Sequence, residues 1–512
     1  MGRRAPHRAP DPSPNPRIVG PSPHFPATPM SALAARRLGL SWPALVGLFA
    51  MLGVCGSAMS VAVLRDPDTY WHVAAGRWIL AHHAIPTADP FSHSMPGAPW
   101  TAHEWLSEVI LAGSHDAGGW SGLVALTAAA LALTLACLTS YFLRHQSSSR
   151  ALLLVAVSAV LLMPSLLARP HVFTWPLTVV WVVQLLRAGE AQRAPAWGWA
   201  VLVALWANLH GSFPLAIGLG MALALDGVSR LPRGERRPVA KRWAAFLGLS
   251  VLASLVTPQG VEGWAYFARV LRMDVAMSLI NEWQSPDFHA FQPLELVLLQ
   301  LLGLALLGQA RLPLLRVAMV LGLLHLSLTH QRHIALMGLV MPALLAAPLG
   351  RLWSASASSE PKAARARPLW IALTLCIVSA GAVGLLRWAA PEPANDGALR
   401  SALKTARAAG ANGPVLNTYG FGGFLIHHDV PVFIDGRADM YGDAFLAKYR
   451  DAMRLKERGD LLELLSKHRI GWTMLAAGTP AIAVLDGLPE WRRVHADGVA
   501  VVHVRIAPDV GR

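Results

Sequence analysis

The chain has 512 residues, of which 54% are hydrophobic and only 14% are charged. Its mean hydropathy of +0.42 is too high for an ordinary soluble protein, in which about a quarter of the residues are charged. The formal net charge of +14 comes from short arginine clusters between apolar runs, an arrangement typical of cytoplasmic loops rather than of a nucleic-acid-binding surface. Composition therefore predicts a polytopic membrane protein with no nucleic-acid partner.

The order of apolar runs predicts the domain organisation. Residues 1–38 are rich in proline, arginine and serine and carry no apolar period, so we expect a disordered cytoplasmic tail. Residues 39–390 predict a transmembrane domain, because apolar runs that reach or approach the length of a bilayer crossing recur throughout. We expect about eleven spans, near residues 41–64, 119–143, 151–168, 171–187, 196–209, 212–228, 243–257, 293–309, 313–329, 333–350 and 369–388.

The arginines predict the orientation of these spans. If the tail is cytoplasmic, a strict alternation of spans places every arginine-rich connection on the cytoplasmic side. The same alternation leaves a large first outer loop, 65–118, and a second outer loop, 257–293, on the opposite side. We therefore expect a multi-pass membrane protein with a cytoplasmic N-terminus and an extracytoplasmic C-terminal domain.

The first outer loop concentrates groups that carry chemistry. Asp66 and Asp68 flank a proline directly after the first apolar run, and Glu104 and Glu108 lie one helical turn apart farther along. The Asp-x-Asp pair can act as a general base, as a metal-ligand pair or as a partner for Arg65. The loop histidines lack the spacing of a helix-borne zinc site. No cofactor follows with certainty, and a divalent metal would be held by the aspartate pair.

Periodicity predicts the helices around these groups. Apolar residues from Trp71 to Ile79 recur at helical spacing and predict an amphipathic helix in the membrane interface, with its indoles at headgroup depth. Residues 261–271 predict a second interfacial helix. The segment from Asn208 to Pro214 is typical of an interrupted helix, which a membrane protein tolerates where the broken backbone lines a cavity.

Each outer connection carries polar groups at the membrane boundary, whereas the cytoplasmic connections carry plain arginines. Such groups are costly there unless they face a cavity or a partner, so we expect a polar cavity that opens outward. For any single residue a structural role is the alternative: an arginine can snorkel, a histidine can cap a helix break, and an acid can anchor its loop. The substrate-binding candidates are His72, Arg169, His171, Asn208, His210, Glu282, Arg332 and His333.

Residues 391–512 predict a soluble α/β extracytoplasmic domain. Strand-like segments at 414–416, 432–434 and 472–475 alternate with helical segments at 443–458 and 460–468, and Asp497-Gly498 predicts a hairpin. Asp435 and Arg437 follow an apolar strand, where they either face a ligand or pair with each other. The expected fold class is therefore mainly α, a transmembrane helical bundle with a small α/β domain.

Several of these motifs resemble a largely uncharacterised family of bacterial polytopic proteins akin to GT-C glycosyltransferases. In the first outer loop they are Asp66-Pro67-Asp68-Thr69-Tyr70-Trp71-His72, Gly76, Pro86, Asp89-Pro90-Phe91-Ser92 and Glu104-Trp105-Leu106. In the C-terminal part they are Gly422-Gly423 and Phe433-Ile434-Asp435-Gly436-Arg437. The resemblance implies a multi-span helical fold in the bacterial inner (plasma) membrane, a polyprenyl-phosphate-linked sugar donor and an acidic base in the first outer loop. That base falls on Asp66 or Asp68, or else on Glu104.

The predicted function is thus transfer of a sugar or related group from a lipid-linked donor to an unidentified envelope acceptor on the outer face. Asp66, Asp68 and Glu104 are the catalytic candidates, and the donor phosphate would pair with outer arginines or histidines. A transporter or flippase of an amphipathic lipid is one alternative, but it predicts an internal repeat and more polar groups within spans than Asp226 and Gln300. A membrane scaffold is the other alternative, in which the loop carboxylates are dispensable.

Overall fold

The structure is a computed structural model that describes residue 2 and residues 41–306, 312–354, 386 and 390–506. The predicted tail, 1–38, lies outside the described residues except for residue 2, and the predicted span 369–388 lies outside them except for residue 386. The chain divides into residues 1–40 and a compact unit of residues 41–512, which holds every element named below.

Helices dominate the described part of residues 41–354. They are α1 Trp42–Cys55, α2 Met59–Ala62, α3 Asp68–His82, α4 Trp105–Phe142, α5 Ser148–Leu162, α6 His171–Glu190, α7 Val201–Leu209, α8 Pro214–Ser229, α9 Arg233–Ser254, α10 Glu262–Val270, α11 Asp274–Leu279, α12 Pro293–Leu306, α13 Leu314–Thr329 and α14 His333–Ser354. The break between α7 and α8 confirms the interrupted helix, and α10 confirms the second outer-loop helix.

Among the described residues, four helices are long and apolar enough to cross a membrane: α4, α5 with its following turn, α6 and α14. Five further apolar helices are shorter, so the count of eleven spans is not established. The first apolar run forms two helices rather than one. The first of them, α1, ends at Cys55, and the backbone N–H of Gly56 donates to the carbonyl of Leu52.

The 38-residue helix α4 is two segments joined at Gly119, whose φ of 61° interrupts the helical backbone. The segment before Gly119 carries Glu108 and belongs to the first outer loop, and the segment after it matches the predicted span 119–143. Glu104 lies at the N-terminal end of the helix. Glu104 and Glu108 therefore belong to a helical segment that meets the apolar segment of α4 at the Gly119 kink.

The C-terminal domain combines five helices with a four-stranded mixed sheet. Its helices are α15 Asp396–Ala408, α16 Gly422–His427, α17 Ala438–Met453, α18 Arg458–Lys467 and α19 Ala481–Asp486. Its strands are β1 Val415–Asn417, β2 Trp472–Ala476, β3 Trp491–Ala496 and β4 Ala500–Arg505, in the order β1-β2-β4-β3. The pair β1-β2 is parallel, and the antiparallel pair β3-β4 confirms the predicted hairpin. The predicted strand 432–434 does not form a strand, and only Val432 makes a bridge, to Ser92.

The buried residues form two cores. One joins the membrane helices, and the other joins the C-terminal domain to the first outer loop through Tyr70, Trp71, Ala75, Trp100 and Ala102. The predicted helix around Trp71 is present as α3, but this indole is only 6% exposed and lies in the protein core rather than at headgroup depth. The loop and the domain, which are far apart in sequence, therefore share one core.

Candidate active site

The turn that joins α2 to α3 positions Asp66 and Asp68. The Asp66 Oδ1 atom accepts a hydrogen bond of 2.8 Å from the backbone N–H of Asp68, which starts α3. Next to it, the Thr69 hydroxyl donates to the carbonyl of Ala168, 3.2 Å away, and the N–H of Ala168 donates to the carbonyl of Val63. These contacts bring the connection between α5 and α6, which contains Arg169, against the aspartate pair.

Arg169 joins carboxylates from two outer segments. Its Nη1 atom lies 3.1 Å from Asp66 Oδ2 and 2.9 Å from Glu282 Oε1, and its Nη2 atom lies 3.2 Å from Asp68 Oδ2. The structure thus brings four predicted site residues into direct contact. One positive charge faces three carboxyl groups, which leaves an excess of negative charge when all three are ionised.

The pKa values of Asp68 and Glu282 differ because their surroundings differ. Burial raises the pKa of Asp68 to about 7, against the opposing effect of Arg169. Arg169 lowers the pKa of Glu282 to about 2. Asp68 is therefore able to exchange a proton near neutral pH, which is the property that a general base requires, whereas Glu282 stays ionised.

Glu104 is the centre of a second group, made of imidazoles. Its Oε1 atom lies 3.2 Å from His210 Nε2 and 3.6 Å from His103 Nε2, and its Oε2 atom lies 3.9 Å from His72 Nε2. Burial favours a higher pKa for Glu104, but the imidazoles of His210 and His103 hold it well below its usual range. Glu104 therefore stays ionised and is a weaker candidate for the base than Asp68.

His72 is fully buried, and burial lowers its pKa to about 3, so its ring is neutral near pH 7. Neither ring nitrogen has a hydrogen-bond partner among the described residues, although Nδ1 lies 3.5 Å from Glu108 Oε1. Burial favours a lower pKa for His103 as well, but the Glu104 carboxylate raises it to about 9. His103 therefore carries the positive charge that pairs with Glu104.

Three other predicted residues lie at helix ends and bond to backbone or neighbouring side chains. His171 Nε2 lies 2.7 Å from the carbonyl of Ser165, and His333 Nδ1 lies 3.3 Å from that of Leu326. Asn208 accepts a bond from the Trp105 indole and donates to two backbone carbonyls, which fixes the break between α7 and α8. The Asn208 amide is thus occupied by protein contacts.

Arg332 differs from Arg169 in its partners. Its guanidinium carbon lies 4.2 Å from the ring centroid of Trp283, and its backbone N–H donates to the carbonyl of Glu282. Within the described part of the chain, no carboxylate lies within ion-pair distance of Arg332. A cation stacked on an indole beside Glu282 is therefore free to receive an anionic group.

The C-terminal domain forms one wall of the Asp68 site. A Cβ atom at Gly436 would lie only 1.9 Å from Asp68 Oδ1, and one at Gly423 would lie 2.5 Å from the carbonyl oxygen of Pro67. Only glycine therefore allows both approaches. The motifs that carried the family resemblance, from opposite ends of the chain, meet at this wall.

The wall is held by a buried ion pair. Arg437 donates to Asp435 through Nε, at 2.8 Å, and Nη2, at 2.6 Å, and it donates to Asp89 through Nη1 at 2.7 Å. The Tyr441 hydroxyl also donates to Asp435. Asp435 and Arg437 therefore pair with each other, one of the two alternatives in the sequence, and their second partner comes from the first outer loop.

Two residues near this site were not among the sequence candidates. The Tyr266 ring stacks on His103 with centroids 4.1 Å apart, and Asp439 lies close enough for its charge to act on His103. Burial raises the pKa of Asp439. The signal in the sequence was the position of Asp439 at the end of the Asp435-Gly436-Arg437-Ala438-Asp439 motif, which follows an apolar segment.

The acidic groups do not fit a divalent metal in this arrangement. Asp66, Asp68 and Glu282 all point at the Arg169 guanidinium, which takes the place that a cation would need. Among the described residues, no group of three or more His, Cys, Asp or Glu side chains is placed to hold a metal ion.

Known proteins resemble the chain in structure, but none matches it in sequence among family models or curated proteins. No protein-family model matches the chain, and no curated protein matches it. The archaeal oligosaccharyltransferase AglB from Archaeoglobus fulgidus, solved with an inhibitory peptide and a dolichol-phosphate, is 10% identical with a TM-score of 0.53, over 92% of this chain and 75% of that one. ArnT from Cupriavidus metallidurans, bound to undecaprenyl phosphate, is 16% identical with a TM-score of 0.48, over 95% of this chain and 100% of that one. The likeness to AglB supports the GT-C-like fold that the motifs predicted.

Proposed function

We propose that the chain is a membrane transferase that moves a sugar or related group from a polyprenyl-phosphate-linked donor to an acceptor hydroxyl. The observation that carries the proposal is the position of Asp68. Its carboxyl group has a pKa near 7, is held by Arg169, and belongs to the same site as Arg332, a cation with no carboxylate partner among the described residues. A base and a phosphate-binding cation are the two groups that such a transfer needs.

In the proposed reaction Asp68 removes the proton of the acceptor hydroxyl while that oxygen forms a bond to the anomeric carbon of the donor. The bond between this carbon and the phosphate oxygen breaks, and the electron pair leaves with the phosphate. Arg332 would stabilise the charge that develops on the leaving group. Arg169 would hold the Asp68 carboxylate in place, since it contacts both Asp68 and Asp66.

The fold supports a lipid-linked donor. The oligosaccharyltransferase that shares the fold was solved with a dolichol-phosphate, which is a polyprenyl phosphate. Here Asp66 and Asp68 lie at the N-terminal end of α3, and Arg169 and Arg332 lie just before α6 and α14, which are both long enough to cross a bilayer. A polyprenyl tail in the membrane would therefore carry its phosphate to the level of these residues.

A small cavity lies beside Asp66. Its volume is about 210 Å³, and its walls include Tyr70 from α3 and Leu399 and Phe421 from the C-terminal domain. This volume is below the range of about 300–1,000 Å³ typical of ligand sites, so it fits one small polar group rather than a whole oligosaccharide. Asp66 lines this cavity but Asp68 does not, so the proposed acceptor hydroxyl meets the base on the Arg169 side of Asp66 rather than inside the cavity.

The test is complementation of a deletion strain by Asp68→Asn, Asp66→Asn and Glu104→Gln, with membrane levels, envelope glycans and lipid-linked sugars measured. Asp116→Asn is the matched control, because Asp116 is an acid of the same loop that pairs with Arg77 at the surface. We expect Asp68→Asn to lose one glycan species and to accumulate its lipid-linked donor at normal protein level, and the control to behave as wild type. Full activity in all three variants would overturn the transferase and favour a transporter or a scaffold.

A further inference from the structure

A cavity of about 440 Å³ lies at the end of the bundle opposite the candidate active site. Its lining residues follow α4, end α6 and belong to the last turns of α14: Arg144, His145, Glu190, Ala347, Gly350 and Arg351. These three helices begin beside Glu104, Arg169 and Arg332, respectively. The 20 residues of α6 extend about 30 Å, the thickness of a bilayer core, so the cavity lies at the headgroup level of the other leaflet.

The walls of this cavity are held by close backbone contacts. A Cβ atom at Gly350 would lie 2.2 Å from the carbonyl oxygen of His145, so α14 approaches the turn after α4 as closely as glycine permits. The Gln146 amide donates to the carbonyl of Ala346, 2.6 Å away, and joins the same two segments. The cavity is therefore a built space between fixed helix ends.

Several polar groups that line the cavity have no side-chain partner among the described residues. Among the described residues, neither Arg144 nor Arg351 forms an ion pair or a side-chain hydrogen bond, and Glu190 forms no salt bridge. The buried Nε2 atom of His145 has no hydrogen-bond partner, nor has the hydroxyl of Tyr141, which is 1% exposed and whose ring lies 4.9 Å from that of His145. Buried polar atoms are rarely left without partners, so the His145 Nε2 atom, which belongs to the cavity wall, points to a ligand; Arg144, Glu190 and Arg351 are exposed at the mouth of the same cavity.

Two other arginines at this end of the bundle, Arg316 and Arg230, pair with an acid of the protein, unlike Arg144 and Arg351. Arg316 and Arg230 both contact Asp226 Oδ2, at 3.1 Å and 2.8 Å. The protein thus neutralises one pair of arginines with its own acid and leaves Arg144 and Arg351 facing an open space. Two arginines that line one cavity are suited to a phosphate, whose oxygens accept several charge-assisted hydrogen bonds.

We infer that this cavity binds the phosphate headgroup of an anionic membrane lipid in the leaflet opposite the candidate active site. Basic pockets between membrane helices are typical of such sites on the cytoplasmic side, which is where the arginine distribution predicts this end to lie. The volume falls within the range of ligand sites. This site is separate from the proposed transfer reaction and does not depend on it.

The test uses the purified, delipidated full chain. Its unfolding midpoint is measured while phosphatidylglycerol, phosphatidylcholine with the same acyl chains, or inorganic phosphate is added, and native mass spectrometry counts retained lipids. We expect a saturable rise with phosphatidylglycerol, little with phosphatidylcholine, and none with inorganic phosphate at equal concentration. An equal rise with inorganic phosphate would show a free-anion site instead and overturn the lipid assignment.

The variants locate the effect. In R144Q/R351Q we expect the apparent affinity for phosphatidylglycerol to fall at least tenfold. The control R237Q/R242Q removes the same charge from exposed arginines at the start of α9 and should bind as wild type. Ala347→Phe, which fills the cavity and keeps both arginines, should also lose the lipid. Undiminished binding in R144Q/R351Q and in Ala347→Phe would overturn the proposal.

Discussion

Two arginines of this protein each gather carboxylates from distant parts of the chain, but they differ in burial. Arg437 is 1% exposed and contacts Asp435 and Asp89, both fully buried. Arg169 is 22% exposed and contacts Asp66, Asp68 and Glu282, of which Glu282 is 36% exposed. The first group joins a loop to a domain, and the second lies where outer segments meet the membrane helices.

The hydrogen bonds of the two groups explain their different roles. Around Arg437 the acids are also satisfied by the Tyr441 hydroxyl and by backbone N–H groups of the Asp89–Ser92 turn, so no acceptor is left for a ligand. Around Arg169, three acids share one guanidinium, and Asp68 retains a raised pKa. A buried ion pair whose acceptors are all hydrogen-bonded holds the structure together. A partly exposed group with more carboxylates than cations has groups left to take part in a reaction.

The largest expected effect is on the saturated group. Arg437→Ala leaves two buried carboxylates without their cation, which costs about 3–5 kcal/mol in buried ion pairs of this kind. We expect the variant to be strongly depleted from the membrane fraction or to unfold at a much lower temperature. Arg454→Ala, at an exposed position of the same domain, is the control and should leave both quantities unchanged. Normal accumulation of Arg437→Ala would show that the buried pair does not hold the domain.

A smaller effect is expected where the two groups meet, at Gly436. A methyl group there would lie 1.9 Å from the Asp68 carboxylate, so Gly436→Ala must displace that carboxylate or the 435–437 turn. We expect transfer activity, measured as the amount of the glycan product in the complemented strain, to fall about tenfold while protein level changes little, a cost of about 1.4 kcal/mol.

The matched control for this change is Gly459→Ala, since a Cβ atom at Gly459 meets no heavy atom within 4 Å. It should retain both level and product. If Gly436→Ala also retained full product, Asp68 would not need its present position, and the assignment of the base would have to move to Asp66 or Glu104.

The sequence predicted those features that depend on local pattern. Apolar runs predicted the spanning helices α5, α6 and α14, and the Asp497-Gly498 pair predicted the β3-β4 hairpin. Asp66, Asp68, Arg169 and Glu282 were each predicted as outer polar groups, because polar residues at a membrane boundary are conspicuous. Their mutual contact is a property of the fold and could only be expected as a shared cavity.

The remaining features depend on contacts between distant segments. Arg437 and Asp89 are 348 residues apart, and no periodicity relates them. Residues 432–434 have strand-like composition, yet only Val432 pairs, with Ser92 of the first outer loop. Trp71 was expected at the lipid headgroups because helical spacing identifies an apolar face without showing whether protein or lipid covers it. In each case the sequence pattern does not show which distant segment the residue contacts.

A pH dependence is also expected, and it separates the Arg169 group from the Arg437 group. The pKa of Asp68 is raised from 3.8 to about 7 in the folded protein, so between these values the folded state holds a proton that the unfolded state has released. Stability from this group is therefore present at low pH and is lost as pH rises toward 7, with a slope of at most about 1.4 kcal/mol per pH unit. Asp68→Asn removes this titration, so its unfolding midpoint should rise relative to wild type between about pH 5 and 7 and then keep a constant difference.

Thermal unfolding of both proteins across this range measures the difference directly. A difference that does not change with pH would mean that Asp68 is already ionised, as a saturated partner of Arg169, and the contrast between the two arginines would no longer hold.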